Sequence, residues 1–206
     1  MITKCLATAF ALAFAAPLFA QAAPAGEQAE KPVPKEDLIP VVIDTSLGRI
    51  VVALDRGRAP VTTANFLRYV DAHRFDGEPF YRAMKFGASG GLIQGGIRSD
   101  SRKLYPPIAH EPTSQTGIKN VAGAISMANA GPGTARADFF ILVGDMPSLD
   151  ATTGQPGFAA FGHVVEGMDV AKAILAAPVS ATAGEGPMKG QMLEPTIKII
   201  KAARLK

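Results

Sequence analysis

The chain has 206 residues, of which 48% are hydrophobic and 19% charged, and this composition excludes an intrinsically disordered protein. Its 21 glycines and 16 prolines follow no Gly-X-Y period, so they indicate a fold with many tight turns rather than a collagen. The formal net charge of +3 is spread along the chain without a long basic run, which argues against a dedicated nucleic-acid-binding protein.

Residues 1–22 have the pattern of a secretory signal peptide. Lys4 precedes an apolar stretch over residues 5–20, and Ala-Gln-Ala at 20–22 is a small-x-small cleavage site. The stretch is shorter than the ~20 residues of a transmembrane helix, so we expect cleavage rather than stable membrane insertion. The only cysteine, Cys5, lies in this segment, and the rest of the chain has no Asn-x-Ser/Thr site. These features predict export to a bacterial periplasm.

The chain after the signal peptide divides into a short polar segment and one domain. Residues 23–37 are rich in Ala, Pro, Glu and Lys and predict a flexible leader. Residues 38–206 carry apolar segments without a long interruption. A domain of this size can bury about 70% of its unfolded surface, which is enough for a single hydrophobic core.

The first predicted elements are a hairpin and a helix. Residues 41–54 predict a β-hairpin, because two β-branched runs flank a Ser-Leu-Gly turn in which Gly48 suits a positive φ. A helix is predicted to begin at Pro60 and to end between Asp71 and Gly77. Its apolar residues recur at helical spacing: Val61, Phe66, Leu67 and Val70.

The remaining elements are mostly short strands separated by turn residues. The pattern predicts strands over 79–86, 91–97, 121–128, 137–143 and 158–165. Residues 167–177 predict a second helix that ends before Pro178, and residues 193–201 predict a closing strand. Many short strands with only two helices indicate a closed antiparallel barrel or a sandwich.

Two motifs match other functional classes but lack the required context. Gly87-Ala88-Ser89-Gly90-Gly91 matches G-x-S-x-G, yet a nucleophile elbow needs a helix after the serine, and the glycine-rich sequence here favours a loop between strands. The three histidines lie far apart and form no zinc-binding spacing.

Three polar residues lie inside strand-like apolar runs: Arg82 in PFYRAM, Gln94 in LIQGG and Asn129 in SMANAGPGT. Any one of them would fit a hydrogen-bonding residue at the rim of a barrel. The three together suggest a site on one face of the sheet.

The ordered segments resemble the cyclophilin family of peptidyl-prolyl isomerases, particularly its bacterial periplasmic branch. The resemblance extends from about Val41 to Ile200 and rests on TSLGRIVVAL, PFYRAM, LIQGG, GAISMANAGPGT, DFFI and FAAFGHVVEGMDVAKAI. It implies a mainly β fold, an eight-stranded antiparallel closed barrel capped by two α-helices. It also implies a surface groove that binds the substrate proline and a reaction that needs neither a cofactor nor a metal.

By position, the resemblance makes Arg82 the catalytic arginine. It places the following residues in the substrate-binding groove: Leu92, Gln94, Ala128, Asn129, Asp138, Phe140, Leu149 and Phe158. Among these, Leu92, Phe140 and Leu149 correspond to the lining of the proline pocket. Phe80, the strand phenylalanine before the arginine, is expected to lie in the core.

The chain departs from the family pattern at several positions. Gly91 stands where a pocket phenylalanine is usual, and Ser148 stands at the position of a tryptophan. Arg82 and Gln94 are farther apart than usual, which predicts a longer loop over residues 85–91. Asp138 replaces a glutamine, and we expect its carboxylate to be ionised and to form an ion pair with Arg82.

The resemblance implies a peptidyl-prolyl cis-trans isomerase that accelerates rotation about X-Pro bonds during the folding of exported proteins. Its partners would be proline-containing unfolded or partly folded polypeptides, and we expect a monomer. The alternative is a catalytically weak cyclophilin domain that acts as a proline-segment-binding chaperone or interaction scaffold. Asp138 favours this alternative, because an ion pair would divert the donors of Arg82 from the substrate.

Overall fold

The computed structural model describes residues 35–87, 90–98 and 100–205. The predicted signal peptide and most of the predicted leader therefore lie outside the described residues. Of the leader, Glu36 and Asp37 contact the barrel, where their carboxylates accept hydrogen bonds from Arg58 and Arg56 at 2.6 and 2.7 Å. No helix within the described residues is long and apolar enough to cross a membrane.

The described residues form nine strands, three α-helices and two short 3₁₀ turns. The strands are β1 (Leu38–Thr45), β2 (Gly48–Asp55), β3 (Pro79–Phe86), β4 (Gly90–Gly95), β5 (Ala124–Met127), β6 (Phe139–Leu142), β7 (Ala160–Glu166), β8 (Val179–Ser180) and β9 (Met192–Arg204). The helices are α1 (Pro60–Asp71), α2 (Thr113–Thr116) and α3 (Met168–Ala176), and the 3₁₀ turns are Pro147–Leu149 and Gly186–Met188.

Eight of these strands close into an antiparallel barrel. Their order is β1-β2-β7-β5-β6-β4-β3-β9, and β9 pairs with β1 to complete the ring. The two-residue strand β8 adds to β9 at residues Leu193 and Met192. The closed eight-stranded barrel predicted from the sequence is confirmed, and closure leaves its eight strands without free edges.

The first hairpin forms as its β-branched sequence predicts. Val42 of β1 lies opposite Val51 of β2, and the turn ends at Gly48, whose φ is 135°. A φ in that range favours glycine because it has no Cβ to clash with the backbone. The Thr45 hydroxyl donates to the Gly48 carbonyl at 2.7 Å and holds the turn.

Helix α1 begins at Pro60, as predicted, and buries Phe66 and Val70 against the barrel. The expectation that Val61 shares this face is wrong, because Val61 is 41% exposed. At about 100° per residue, nine positions place Val61 on the side of the helix opposite Val70. The buried Glu111 satisfies the helix start by accepting the backbone N–H groups of Val61 and Thr62 at 3.1 and 2.7 Å.

The predicted longer loop over residues 85–91 is wrong. Strand β3 continues to Phe86 and pairs there with Gly90, so the additional residues lengthen the β3–β4 hairpin rather than its loop. Ser89 lies outside the described residues. The residues from Gly90 onward form a strand, which contradicts the helix that a nucleophile elbow would need.

The core fills the barrel and the space beneath the two longer helices. Its largest fully buried side chains include Phe80, which confirms the expected core position, and Tyr69, Phe66, Phe75, Phe139 and Phe161. The four-residue helix α2 was not predicted, since TSQT has no apolar periodicity. Strand β9 extends beyond the predicted 193–201, because its C-terminal half pairs with β1 and closes the barrel.

Candidate active site

Arg82 and Gln94 occupy opposite positions on the neighbouring strands β3 and β4. The Nη1 of Arg82 donates to the Oε1 of Gln94 at 2.9 Å. Gln94 is buried and Arg82 is half-buried. The structure therefore brings together the two polar residues that the sequence placed on separate strands.

Two further contacts fix the Arg82 guanidinium. Its Nε donates to the Oε1 of Gln191 at 2.8 Å, and its Nη2 lies 3.5 Å from the Sδ of Met84. Burial lowers the pKa of Arg82 from its usual value, but a guanidinium stays charged at neutral pH. Because a guanidinium has five N–H donors, two remain for a ligand after these three contacts within the described residues.

The amide of Gln94 continues the hydrogen-bond network into the barrel. Its Nε2 donates to the hydroxyl of Tyr81 at 2.7 Å, and Tyr81 lines the same small cavity as Asp138. Burial, followed by the nearby charge of Asp138, raises the pKa of Tyr81. Tyr81 is therefore a neutral phenol at physiological pH, and its hydroxyl oxygen accepts from Gln94.

The predicted ion pair between Asp138 and Arg82 is wrong. Oδ1 of Asp138 accepts the backbone N–H of Arg98 at 2.8 Å, whereas the Arg82 guanidinium donates to the neutral amides of Gln94 and Gln191. Burial raises the pKa of Asp138 above its usual value, with partial compensation from the Arg98 N–H, whereas an adjacent guanidinium would have lowered it.

The predicted pocket residues form one apolar cluster beside Arg82. Its buried members are Leu92, Ala124, Phe140, Leu142 and Met146, and Met84, Ala128, Leu149 and Phe158 pack against them. The rings of Phe140 and Phe158 meet edge to face, with centroids 5.4 Å apart and planes at 82°. Such a surface suits a pyrrolidine ring, which has no polar atoms apart from those of the backbone.

Met84 contributes to this pocket, although the sequence analysis did not single it out. It lies two residues after Arg82 on β3, and side chains two apart on a strand share a face. Gly91, which occupies the position where the family usually has a pocket phenylalanine, has a φ of 151°. An added Cβ there would lie 2.2 Å from the Met84 carbonyl oxygen, so the local backbone excludes a larger residue.

A buried asparagine holds one rim of the pocket. The Nδ2 of Asn120 lies 3.1 Å from the Leu149 carbonyl and 3.4 Å from the Phe158 carbonyl, and its Oδ1 accepts the Ser126 hydroxyl at 2.7 Å. Asn120 is completely buried. The two rim residues, Leu149 and Phe158, are therefore positioned from beneath by one side chain.

Asn129 carries an unused donor beside the pocket. Its Oδ1 accepts the backbone N–H of Gly131 at 3.0 Å, which fixes the direction of the amide. Its Nδ2 is buried and, among the described residues, has no hydrogen-bond partner. Ala128, Asn129, Asp138 and Gln94 all line a cavity of about 270 Å³ in this region.

A second cavity of about 850 Å³ lies between β3 and the segment that precedes β9. It shares Tyr81, Arg98, Asp138 and Met188 with the smaller cavity, but Gln94, which contacts Arg82, lines only the smaller one, as do Ala128 and Asn129. We therefore place the site at the Arg82 groove, where a permanent cation and an apolar pocket adjoin.

The groove offers hydrogen-bond donors and apolar contacts. Within the described residues, no three His, Cys, Asp or Glu side chains lie close enough to hold a metal ion. A charged guanidinium, two amides and an apolar pocket can bind a peptide segment and stabilise a change in its conformation.

Sequence comparison places the chain among known proteins. A family model described as cyclophilin type peptidyl-prolyl cis-trans isomerase matches residues 40–203. The peptidyl-prolyl cis-trans isomerase A of Dickeya dadantii is 38% identical over 138 residues, covering 65% of this chain and 70% of that protein. A peptidyl-prolyl cis-trans isomerase of Streptomyces antibioticus is 36% identical over 151 residues, covering 70% of this chain and 87% of that protein.

Structural comparison supports the same fold. The crystal structure of a cyclophilin type peptidyl-prolyl cis-trans isomerase of Cryptosporidium parvum has a TM-score of 0.66 at 20% identity, covering 82% of this chain and 99% of that one. A second structure of that protein, in the presence of the dipeptide Ala-Pro, has a TM-score of 0.65 at 21% identity, covering 81% and 99%. The chain is a peptidyl-prolyl cis-trans isomerase and belongs to the cyclophilin family, as its resemblance predicted.

Proposed function

We propose that Arg82 is the catalytic residue, that the apolar cluster around Phe140 binds the substrate proline, and that the enzyme acts during the folding of exported proteins. Its substrates are proline-containing unfolded or partly folded polypeptides. The observation that carries the catalytic assignment is the fixed guanidinium at the edge of an apolar pocket, with Gln94 and Gln191 as neutral acceptors.

The reaction sets clear requirements for the site. Rotation about an X-Pro bond interrupts amide resonance, with a barrier of about 18–20 kcal/mol for a peptide bond, and takes roughly tens to hundreds of seconds without a catalyst. The twisted transition state has a pyramidal prolyl nitrogen with an available lone pair. A donor directed at this nitrogen stabilises the twisted state more than either planar isomer, which is the differential binding that catalysis requires.

Arg82 meets this requirement. Its guanidinium is permanently charged, and two of its N–H donors remain free of contacts within the described residues. Amide oxygens orient the group without neutralising its charge, so the remaining donors keep their full strength toward the substrate. The proline ring would rest on Phe140 and Leu92, which holds the prolyl side of the bond while the other side rotates.

The buried donor of Asn129 supports binding of a peptide backbone. A buried polar group without a partner costs about 1–3 kcal/mol, and a substrate carbonyl in the groove would supply the missing acceptor. The Cryptosporidium parvum relative, whose fold this chain shares, was crystallised in the presence of Ala-Pro. A short proline-containing backbone is thus the ligand class that we assign to this groove.

The alternative of a catalytically weak binding domain rested on an ion pair between Asp138 and Arg82. Because Asp138 accepts from the Arg98 N–H and Arg82 donates to Gln94 and Gln191, the donors of Arg82 are not diverted to a carboxylate within the described residues. No other feature of the groove favours the chaperone or scaffold alternative, so we propose catalysis.

The proposal of a role in export rests on residues 1–22, whose charged start, apolar stretch and small-x-small site are typical of a cleaved signal peptide. When the full chain is expressed in a Gram-negative host, we expect it in the periplasmic fraction with Ala23 as its first residue by mass spectrometry. An uncleaved chain in the cytoplasmic fraction would overturn the proposed location and leave the activity unaffected.

The folding role is tested by the refolding of an unfolded protein whose slow phase is X-Pro isomerisation. We expect catalytic amounts of the enzyme to accelerate that phase, and Arg82→Ala to abolish most of the acceleration. Lys85→Ala is the matched control, because Lys85 is an exposed cation on the same strand. A wild-type enzyme that binds the unfolded chain but leaves the slow phase unchanged would support the chaperone alternative.

A further inference from the structure

Gln191 reaches Arg82 from a part of the chain that is remote in sequence. It lies just before β9, and its Oε1 accepts the Nε–H of Arg82 at 2.8 Å. We infer that Gln191 is a positioning residue that fixes the orientation of the Arg82 guanidinium. This inference rests on the catalytic role proposed above for Arg82.

The orientation of the Gln191 side chain is itself determined by a second contact. Its Nε2 donates to the Pro187 carbonyl at 2.9 Å. An amide has one donor end and one acceptor end, so this bond turns the oxygen toward Arg82. The Pro187 carbonyl belongs to the 3₁₀ turn Gly186–Met188, which is therefore part of the support for the guanidinium.

The backbone of Gln191 is anchored to the catalytic strand. Its carbonyl accepts the N–H of Ala83, the residue after Arg82, at 2.9 Å. The β3–β9 register also shifts at this point. Phe80 pairs with Ile197 and Arg82 pairs with Met192, so a short step along β3 corresponds to a longer step along β9. This irregularity brings the residue before Met192 alongside Arg82, where a regular ladder would not place it.

Gln191 and Gln94 complement each other around the guanidinium. Gln94 accepts from Nη1 and Gln191 accepts from Nε, so two amide oxygens define the plane of the group. An arginine held at one nitrogen only can still rotate about its side-chain bonds, and its remaining donors then sample many directions. With both acceptors present, the free N–H donors point in one direction before the substrate arrives.

The kinetic test uses Gln191→Leu, which keeps the size of the side chain and removes its acceptor, and Gln191→Asn, which is one methylene too short. Kinetics are measured by NMR exchange on an X-Pro peptide. We expect kcat to fall about tenfold in both variants, with KM changed by less than about twofold. Lys189→Ala is the matched control, because Lys189 is exposed on the same segment and should keep wild-type kcat.

A spectroscopic readout separates positioning from general stability. In ¹H–¹⁵N spectra, the Nε–H signal of Arg82 is identified by its loss in Arg82→Ala. We expect this signal to exchange slowly with water in the wild type and in Lys189→Ala. In Gln191→Leu and Gln191→Asn it should shift and exchange faster, while the backbone amide signals of the barrel remain in place.

A double variant completes the test. If Gln191 acts through Arg82, Gln191→Leu should cause no further loss when it is added to Arg82→Ala. The inference is overturned by wild-type kcat together with an unchanged Arg82 Nε–H signal in both Gln191 variants. It is also overturned if Gln191→Leu lowers kcat by the same factor in the wild type and in Arg82→Ala. Wild-type activity in Arg82→Ala alone would instead remove the catalytic role of Arg82 on which the inference rests.

Discussion

Gln94 links Arg82 to Tyr81 through the two ends of one amide, with Oε1 2.9 Å from the Arg82 Nη1 and Nε2 2.7 Å from the Tyr81 hydroxyl. Since Gln94 is buried, its Nε2 needs an acceptor inside the protein, and the Tyr81 hydroxyl supplies it. The tyrosine thereby keeps the acceptor end of the amide directed at the guanidinium.

Tyr81→Phe should therefore weaken catalysis without removing any group that touches the substrate. Without the hydroxyl, the Nε2 of Gln94 loses its acceptor, which costs about 1–3 kcal/mol of the free energy of unfolding. We expect kcat/KM to fall about threefold to tenfold, equal to ~0.7–1.4 kcal/mol. Urea denaturation and NMR exchange measure the two effects. Tyr105→Phe serves as the control, and unchanged kcat/KM in Tyr81→Phe would show that the amide does not depend on the phenol.

Asp138→Asn should change how stability depends on pH. Burial raises the folded-state pKa of Asp138 above its usual value, although the Arg98 N–H opposes the shift and the charge of Glu78 adds to it. A carboxyl with a raised folded-state pKa favours the folded state when protonated. That stabilisation is complete below the unfolded-state pKa and is lost as the pH rises through the folded-state pKa.

The free energy of unfolding of the wild type should therefore fall relative to Asp138→Asn as the pH rises from about 3 toward 7, because asparagine does not titrate. Urea denaturation of both proteins across this range gives the difference directly. If the free energy of unfolding of the wild type instead rises relative to Asp138→Asn over this range, the folded protein stabilises Asp138 as an anion.

Asn120→Ala should destabilise the barrel and loosen the rim of the proline pocket. The substitution removes the acceptor of the Ser126 hydroxyl and a donor to the Leu149 and Phe158 carbonyls, although the Leu149 carbonyl keeps the Phe158 N–H. We expect a loss of about 2–4 kcal/mol in the free energy of unfolding, together with a higher KM for X-Pro peptides. A loss below about 0.5 kcal/mol would mean that these carbonyls find other partners.

Cyclosporin should bind weakly to this protein. The family resemblance places Ser148 where a tryptophan at the groove edge is expected to pack on that ligand and donate a hydrogen bond to it. Ser148 is exposed and adjoins the pocket residue Leu149, so an indole at this position would add apolar contact area worth about 25 cal/mol per Å². Ser148→Trp should therefore tighten binding in a competition assay. Nanomolar inhibition of the unaltered protein would contradict the expectation.

The family resemblance predicted the apolar part of the site, and the alternation of side chains along strands explains why these residues share a face. Leu92 and Gln94 lie on β4 at known offsets from each other, and Phe140 lies on the neighbouring strand β6. The observed pairing of β4 with β6 places these side chains together. The same alternation could have identified Met84, two residues after Arg82.

The polar contacts of Arg82 could not be predicted in the same way. Gln191 reaches the guanidinium through a shifted register and a 3₁₀ turn, and neither leaves a periodic pattern in the sequence. Asp138 was expected to contact Arg82 because opposite charges attract. Its position just before β6 instead directs its carboxylate to the Arg98 N–H, and sequence spacing does not determine that direction.

Arg82→Ala tests the central claim most directly. Exchange between the cis and trans forms of an X-Pro peptide is measured by NMR for the wild type, Arg82→Ala and the matched control Lys85→Ala, with far-UV circular dichroism to establish that all three are folded. If Arg82 stabilises the twisted amide, kcat/KM should fall about 100-fold in Arg82→Ala, equal to ~2.7 kcal/mol, and stay near the wild-type value in Lys85→Ala. A folded Arg82→Ala whose kcat/KM lies within about threefold of the wild type would contradict the account.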